Sequence, residues 1–279
     1  MVCGWWHVPQ IPGATAKILF VPGIKKTSPL TPKIEERATN RKPYKLTPFK
    51  SEHKEKLEET FVNNNKVQLK FIQQREVIDA LAKTVSLNEQ LLMENRPLHD
   101  FLFSIIRWSE GEERNLPGLY LKTMELPPPV QIIFRYVLRH WGAVQALNHI
   151  GLSRFIPKQS APVYAASSAF GAIIVSGNTN EDFVAAGRAF QKMWLTATAE
   201  GMSIQPTTAL PYLMQRIVAG EASAFTPEHQ TLISEAYGNI SHAFGLKGSE
   251  HIAMLFRIGY GDAPTAVSLK TRLPFVDPS

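Results

Sequence analysis

Apolar and polar positions along this chain predict a mixture of strands and helices. Val67 to Ile72 alternates apolar with polar side chains, as a strand with one buried face does, whereas Phe170 to Ser176 is a continuous apolar run typical of a central strand. Ala16 to Val21, which ends at Pro22-Gly23, and His251 to Tyr260 are also apolar runs of strand length. The pattern therefore predicts four strands.

Apolar residues at spacings of three and four predict amphipathic helices between these strands. The clearest runs from Glu181 to Glu200, capped by Thr179 or Asn180, and its Gly187 among large apolar neighbours predicts close approach to another helix. The other predicted helices are one opened by Pro32, Glu52 to about Asn63, Arg75 to about Glu94, Pro97 through Trp108, Val130 to Ile150, one from near Leu210 and one ending at Phe244. Glu110 to Pro129 is predicted to be a polar connection.

The composition is that of an ordinary globular chain, with 279 residues, 44% hydrophobic and 19% charged. No apolar run reaches the roughly 18 to 20 residues that a membrane helix needs, and Met1 to Gly13 lacks the pattern of a signal peptide. The single cysteine, Cys3, permits no internal disulfide. We therefore expect a cytoplasmic protein without membrane contact.

A formal net charge of +6 favours anionic partners, which include nucleic acid, an anionic membrane face and phosphorylated small molecules. Between Lys25 and Lys56 the basic residues are interleaved with glutamates, and no DNA-reading motif or basic-aromatic pattern is present, so nucleic acid is not expected. The eight histidines form no pair with metal-ligand spacing, and neither a Gly-x-Ser-x-Gly elbow nor a phosphate-cradling Gly-rich loop occurs. No metal, hydrolase or NTPase site is therefore predicted.

Two basic segments are candidate phosphate ligands. Lys270 and Arg272 lie one residue apart before Pro274, so in an extended tail their side chains point the same way and can grip one phosphate. Arg37 and Arg41 flank Thr39 in an Arg-Ala-Thr-Asn-Arg sequence. The alternative for the arginines is solvated loop charge or ion pairing with the adjacent Glu35 and Glu36.

The order of several motifs resembles that of the nitroreductase family. The motifs are Arg37-Ala38-Thr39-Asn40-Arg41, a central strand, Gly187-Arg188-Ala189-Phe190-Gln191, Gly201 to Gln205-Pro206, Gly259-Tyr260 and Lys270-Thr271-Arg272-Leu273-Pro274. More narrowly, the first and third resemble the divergent single-chain branch, in which two nitroreductase-like halves are fused. The resemblance implies an α+β fold with a mostly antiparallel sheet flanked by helices, and noncovalently held FMN.

The family's functional positions carry over only where the motifs match. The resemblance implies phosphate contacts from Arg37 and Thr39, with Arg41 in addition, and from Lys270 and Arg272. It implies contacts to the flavin ring from Gln205, Pro206, Thr207 and Thr208, in a segment whose available backbone N–H groups would approach the ring. The flavin itself carries the chemistry, so no catalytic side chain is assigned.

Two departures from the family pattern bear on activity and assembly. Thr208-Ala209 stands where the family often has an acidic residue and glycine, which puts ordinary reductase efficiency in doubt. The stretch that supplies ring contacts ahead of the first strand has no clear counterpart; Asn64-Asn65-Lys66 occupies its place. We therefore expect a homodimer, or a separate N-terminal half, to complete the site, with the apolar faces of Val130 to Ile150 and Glu181 to Glu200 as the interface.

The chain is accordingly divided into an N-terminal arm and strand, residues 1–30, and an FMN-binding domain, residues 31–279, with Glu110 to Pro129 as a candidate lid insert. The expected function is electron transfer from NAD(P)H as co-substrate, through FMN, to a small-molecule acceptor such as a nitro compound or quinone. One alternative is an FMN-binding or flavin-sequestering protein with little or no turnover. The other is a basic interaction protein that has lost the cofactor.

Overall fold

The computed structural model describes residues 28–61 and 66–270, together with the backbone of residues 2–6 and 17–21. These residues form eight strands and eleven α-helices. The strands are β1 (Val2–Trp6), β2 (Lys17–Val21), β3 (Val67–Ile72), β4 (Ile106–Arg107), β5 (Leu119–Tyr120), β6 (Ala169–Val175), β7 (Ser203–Pro206) and β8 (His251–Gly259). The α-helices are α1 (Lys33–Glu36), α2 (Ser51–Glu58), α3 (Arg75–Glu94), α4 (Arg96–Ile105), α5 (Glu110–Asn115), α6 (Pro128–Ile133), α7 (Trp141–Asn148), α8 (Leu152–Ala165), α9 (Asn180–Ala199), α10 (Ala209–Arg216) and α11 (Pro227–Phe244).

The centre of the fold is a four-stranded sheet with the order β3-β6-β8-β7. All its neighbouring strands are antiparallel, and the β6–β8 register shifts between Ile173 and Ile174. Every residue of β6 is buried, which confirms the central strand expected from its continuous apolar run. Two smaller sheets pair β1 with β2 and β4 with β5.

Helices cover both faces of the sheet. On one face α3, α10 and α11 pack on Phe170, Ala172 and Leu255, and on the other α2 and α9 pack on Ile173 and Phe256. A third apolar cluster lies beside them, where Phe134, Leu138 and Val144 pack under α4 and α8. The architecture is therefore the predicted α+β arrangement, an antiparallel sheet flanked by helices.

The strongest helix predictions are confirmed with small shifts at the ends. α3 spans Arg75–Glu94, and α9 spans Asn180–Ala199 with a reciprocal capping box between Thr179 and Asp182.

The prediction that Gly187 allows another helix to approach closely is wrong for the described residues. A Cβ added there meets no atom within 4 Å, and Gly187 instead lines an open apolar groove between α1 and α9.

The segment between Glu110 and Ala165 departs most from the prediction. The single helix expected over Val130 to Ile150 is in fact α6, a π-helical continuation over Phe134–Leu138, and α7, separated where His140 takes an extended conformation. Glu110 to Pro129, expected to be a plain connection, contains α5, β5 and the 3₁₀ turn Leu121–Met124. α8 was not predicted, because Pro157 and Pro162 inside it indicate helix breakage.

Candidate anion-binding site

Residues from three parts of the chain enclose a cavity of about 270 Å³ beside the edge strand β7. The cavity brings together Arg37, Thr39, Arg41 and Lys270, four of the five residues predicted to contact a phosphate. The fifth, Arg272, lies outside the described residues. The full lining is Arg37, Ala38, Thr39, Arg41, Thr123, Ala266, Val267, Ser268, Leu269 and Lys270.

The segment after α1 is held in place by backbone pairing rather than by a regular element. The Arg37 N–H closes the helix on the Lys33 carbonyl at 2.9 Å, after which the chain becomes extended. Thr39 then forms an isolated parallel bridge with Ile204 of β7, and the Asn40 N–H donates to the Ile204 carbonyl at 3.1 Å. Arg37 and Arg41 thus flank two residues that are anchored to the sheet.

Three cations meet at the cavity. The Arg37 guanidinium stacks on the Trp194 ring at 4.4 Å, and Lys270 Nζ donates to the Arg37 carbonyl at 2.5 Å. Arg41 Nη1 donates to the Thr123 carbonyl at 3.0 Å. The expected alternative, ion pairing with the neighbouring glutamates, is not found, since Glu36 pairs with Lys33 at 2.7 Å.

Among the described residues no carboxylate forms a salt bridge with these three cations, of which Arg37 and Arg41 are partly buried and Lys270 is exposed. Glu125 and Glu35 attract Arg41 and Lys270, respectively, without such a contact. Desolvation lowers the pKa of Arg37 and of Arg41, and it lowers that of Lys270 together with repulsion from Arg37. Arg37 Nε is buried, and no described atom accepts its hydrogen bond. An anion in the cavity would offset the charge of the three cations, so the donor set fits a phosphate.

The residues before Lys270 cross the cavity as a strap, residues 265–270, held at both ends by carboxylates. Glu125 accepts hydrogen bonds from the backbone N–H and the hydroxyl of Thr265, both at 2.6 Å. Glu113 accepts one from the Leu269 N–H at 3.0 Å. Both glutamates belong to the segment predicted to be a lid insert, which therefore borders the cavity and fixes the strap. Its role over a flavin stays a prediction.

The four predicted ring-contact residues do not line this cavity. Gln205 is buried, and its Oε1 accepts a 2.8 Å hydrogen bond from Arg257 Nε. The Thr207 N–H donates to the Leu255 carbonyl at 2.7 Å, and the Thr208 hydroxyl bonds both backbone groups of Leu255. Pro206 pairs with Phe256 at the end of β7. These donors serve the sheet, and contact with a flavin ring stays a prediction.

Two residues that frame the site were not predicted, Asn40 and Arg257. Asn40 is buried, and its amide donates to Ser203 Oγ and to the Asp262 carbonyl. Arg257 is fully buried in β8. The sequence carries one usable signal for it, because Arg257 is the only lysine or arginine in the apolar run from His251 to Tyr260.

Neither a metal cluster nor a membrane span is found among the described residues. No three His, Cys, Asp or Glu side chains there come close enough together to hold a metal ion. Among the helices of that same part of the chain, none has the length and apolarity to cross a bilayer.

Comparison with known proteins supplies few relatives by sequence. No family model matches the chain. The uncharacterized protein MT1398 of Mycobacterium tuberculosis (strain CDC 1551 / Oshkosh) is 25% identical over 142 residues, which are 51% of this chain and 20% of that protein. The match therefore spans about a fifth of the length of this curated relative.

Comparison with solved structures is more informative about the fold. A nitroreductase with bound FMN from Bacteroides fragilis superposes with a TM-score of 0.50 at 9% identity, covering 90% of this chain and 98% of that one. A putative NADH dehydrogenase/NAD(P)H nitroreductase from Bacteroides thetaiotaomicron gives a TM-score of 0.47 at 9% identity, covering 88% and 95%. The first of these superpositions, over nearly the whole of both chains, agrees with the sheet and helix layers described above, and this chain has the nitroreductase fold.

Proposed function

We propose that this chain is an FMN-dependent oxidoreductase that passes electrons from NAD(P)H to a nitro compound, quinone or similar electrophile. The observation that carries the proposal is the convergence of Arg37, Arg41 and Lys270 on one cavity without a carboxylate partner among the described residues. FMN ends in a phosphate, and the superposed nitroreductase from Bacteroides fragilis binds FMN. When bound, FMN supplies the electron-transfer chemistry.

The chain's own residues would hold and shield the phosphate end of this cofactor. Arg37 and Arg41 each offer a guanidinium group, and Lys270 adds an ammonium group. Thr39 contributes a hydroxyl to the lining, and the strap limits the access of water from one side. These groups bind and orient; none of them is proposed to transfer a proton or an electron.

The phosphate assignment is tested by comparing FMN with riboflavin, which lacks the phosphate. We expect the wild-type protein to bind FMN much more tightly, and Arg37→Ala/Lys270→Ala to lose most of that preference. Each hydrogen bond to a charged group contributes about 1.5 to 3 kcal/mol, so FMN affinity should fall roughly tenfold to a hundredfold per lost contact. Riboflavin affinity should not change. Flavin fluorescence titration measures both.

Lys247→Ala is the matched control, because Lys247 is exposed in the loop before β8 and does not line the cavity. It should bind both flavins as the wild-type protein does. Equal binding of FMN and riboflavin by the wild-type protein would contradict the phosphate assignment. So would a double variant that keeps the full preference for FMN while its circular dichroism is normal.

A second candidate function, FMN binding with little or no turnover, is favoured by one observation. The Thr207 N–H, a proposed ring contact, is already bonded to the Leu255 carbonyl. Flavin reduction by NADPH under anaerobic conditions separates the two functions. Rapid bleaching of the bound flavin supports the oxidoreductase, and a flavin that stays oxidised supports the binding protein.

A further inference from the structure

Arg257 is an unusual residue for the middle of a central strand, because it is charged and completely buried. Its Nε donates to Gln205 Oε1 at 2.8 Å, Nη1 to the carbonyls of Val163 and Ala166 at 2.9 and 3.2 Å, and Nη2 to the Lys42 carbonyl at 2.8 Å. The guanidinium stacks on the Tyr44 ring at 4.0 Å. No carboxylate among the described residues forms an ion pair with it.

Such an arrangement is unfavourable for stability alone. A buried charge without a counter-ion retains a desolvation penalty that neutral hydrogen bonds only partly offset, and an apolar side chain would fill the same space without it. The penalty is visible in the lowered pKa of Arg257, caused first by burial and in part by repulsion from Arg41. The buried charge of Arg257 therefore calls for a role other than stability. Its neighbour Arg41 lines the anion cavity, which indicates where that role lies.

The contacts of Arg257 also reach the segment that carries the cavity's ligands. It holds the Lys42 carbonyl directly and packs on Tyr44, whose hydroxyl donates to the Asn40 carbonyl at 2.7 Å. Asn40 in turn is anchored to Ile204, Ser203 and Asp262. Arg257 thus fixes the downstream end of the segment from Arg37 to Arg41, which leaves the cavity's cations little freedom to move apart.

We propose that Arg257 is a positioning residue for the anion cavity, which holds the segment from Arg37 to Tyr44 in its binding shape and adds an uncompensated positive charge behind Arg41. It does not touch the ligand. The ligand class it serves is a phosphate-bearing anion, whether the terminal phosphate of a nucleotide-like cofactor or a free inorganic anion such as pyrophosphate. The inference rests on the anion site of the proposed function but not on flavin chemistry.

Arg257→Gln and Arg257→Lys test the proposal, with inorganic pyrophosphate, FMN and riboflavin as probes in calorimetric titrations. Arg257→Gln, which removes the charge, should weaken pyrophosphate and FMN binding at least tenfold while riboflavin affinity stays the same. Arg257→Lys, which keeps the charge but loses the fork of hydrogen bonds, should recover part of that loss. Raising the salt concentration should weaken pyrophosphate binding less in Arg257→Gln than in the wild-type protein.

A purely structural role would lower the melting temperature of both variants and leave the ratio of FMN to riboflavin affinity unchanged, and that result would overturn the proposal. Should both variants fail to fold, Tyr44→Phe tests the same chain of contacts, because it removes only the hydrogen bond to the Asn40 carbonyl. It should lower the ratio severalfold, and an unchanged ratio would overturn the positioning role.

The titrations with pyrophosphate separate this inference from the proposed function, because pyrophosphate carries no flavin. A wild-type protein that binds pyrophosphate but not FMN would refute the flavin function, and the effect of Arg257→Gln on pyrophosphate would still decide the inference. A wild-type protein that binds neither would refute both.

Discussion

At the scale of single residues, Glu89 of α3 lies in an environment that opposes its ionisation. Its Oε1 accepts a 2.6 Å hydrogen bond from the Tyr164 hydroxyl, but its Oε2 is buried and has no partner among the described residues. Burial raises the pKa of Glu89 to about 7, although the hydrogen bond from Tyr164 opposes the shift. Glu89 is thus the clearest site in the described structure where pH acts on stability.

We expect Glu89→Gln to be more stable than the wild-type protein at pH 8 but not at pH 5. Because the folded-state pKa lies above the unfolded value, Glu89 destabilises the fold progressively as the pH rises from the unfolded pKa through about 7. The gap in the free energy of unfolding should grow by up to about 3 kcal/mol over this range. Urea unfolding at a series of pH values measures it.

Tyr164→Phe serves as the companion variant, since it removes the side-chain hydrogen bond that favours ionised Glu89. The pKa of Glu89 should then rise further, and the loss of stability at high pH should become larger. Parallel pH profiles for the wild-type protein and Glu89→Gln would show that Glu89 is solvated and the argument wrong.

This residue scale is where sequence alone is least informative. The convergence of Arg37, Thr39, Arg41 and Lys270 was predictable, because a motif resemblance specified their order. The burial of the Glu89 carboxyl group was not predictable, because Asn88-Glu89-Gln90 has the sequence of a polar helix face. Its burial depends on Tyr164 of α8, 75 positions away, and on a helix that the sequence did not indicate.

At the scale of elements, two glycines illustrate opposite uses of a missing side chain. Gly171 of β6 pairs directly with Phe256 of β8, and a Cβ at Gly171 would overlap the Phe256 ring. Gly187 of α9 faces the open groove beside α1. The first glycine allows an aromatic ring to lie flat on the sheet, whereas the second lowers helix propensity without a packing reason in the described residues.

Alanine should therefore have opposite effects at these two positions. Gly171→Ala forces Phe256 off its site and should lower the free energy of unfolding by about 1 to 3 kcal/mol. Gly187→Ala should raise it by about 1 kcal/mol or slightly less, because alanine is the better helix former. Denaturant unfolding of both variants measures the pair. A destabilised Gly187→Ala would reveal a neighbour that packs against α9 outside the described residues.

Elements with strong periodicity were predictable, and those shaped by local exceptions were not. α3, α9 and β3 match their predictions because their apolar spacing is regular and their ends are marked. The Val130 to Ile150 prediction failed because the π-helical turn at Phe134–Leu138 shifts the register of exposed and buried positions. Only tertiary packing on the third apolar cluster stabilises such a turn, and a single sequence does not reveal it.

At the scale of the whole molecule, the outer face of α6 and its π-helical continuation is apolar where a surface helix is usually polar. Only Phe134 and Leu138 of this stretch are buried. The exposed large apolar side chains of this stretch are those of Val130, Ile132, Ile133, Tyr136 and Val137. This stretch belongs to the first of the two helical faces, Val130 to Ile150 and Glu181 to Glu200, that the sequence predicts to join two copies of the chain. A homodimer through the α6 face is our proposal for the assembly.

We expect Ile132→Asn/Tyr136→Ser to weaken the dimer without unfolding the monomer. Between Leu126 and Asn180 the sequence has four lysines and arginines and no acidic residue, so a symmetric pairing sets like charges against each other. Moderate salt should therefore strengthen the wild-type dimer, and FMN should do so as well if the site is shared. Sedimentation velocity at micromolar concentration measures these effects.

Val218→Asn is the control, since Val218 is exposed on the π-helical segment that follows α10. It should dimerise as the wild-type protein does. A wild-type protein that stays monomeric at micromolar concentration with FMN bound would contradict the proposed assembly and would show that one chain builds the whole flavin site.

The contact between Lys270 and Arg37 joins positions 233 residues apart. Contacts of such separation carry an entropic cost of loop closure, so we expect this contact to form after the sheet has set Thr39 beside Ile204 and Lys45 beside Tyr260. The cavity should therefore be completed late in folding, after most helices and strands have formed. During refolding, the chain should regain its secondary structure first. It should bind phosphate only after these distant segments have come into contact.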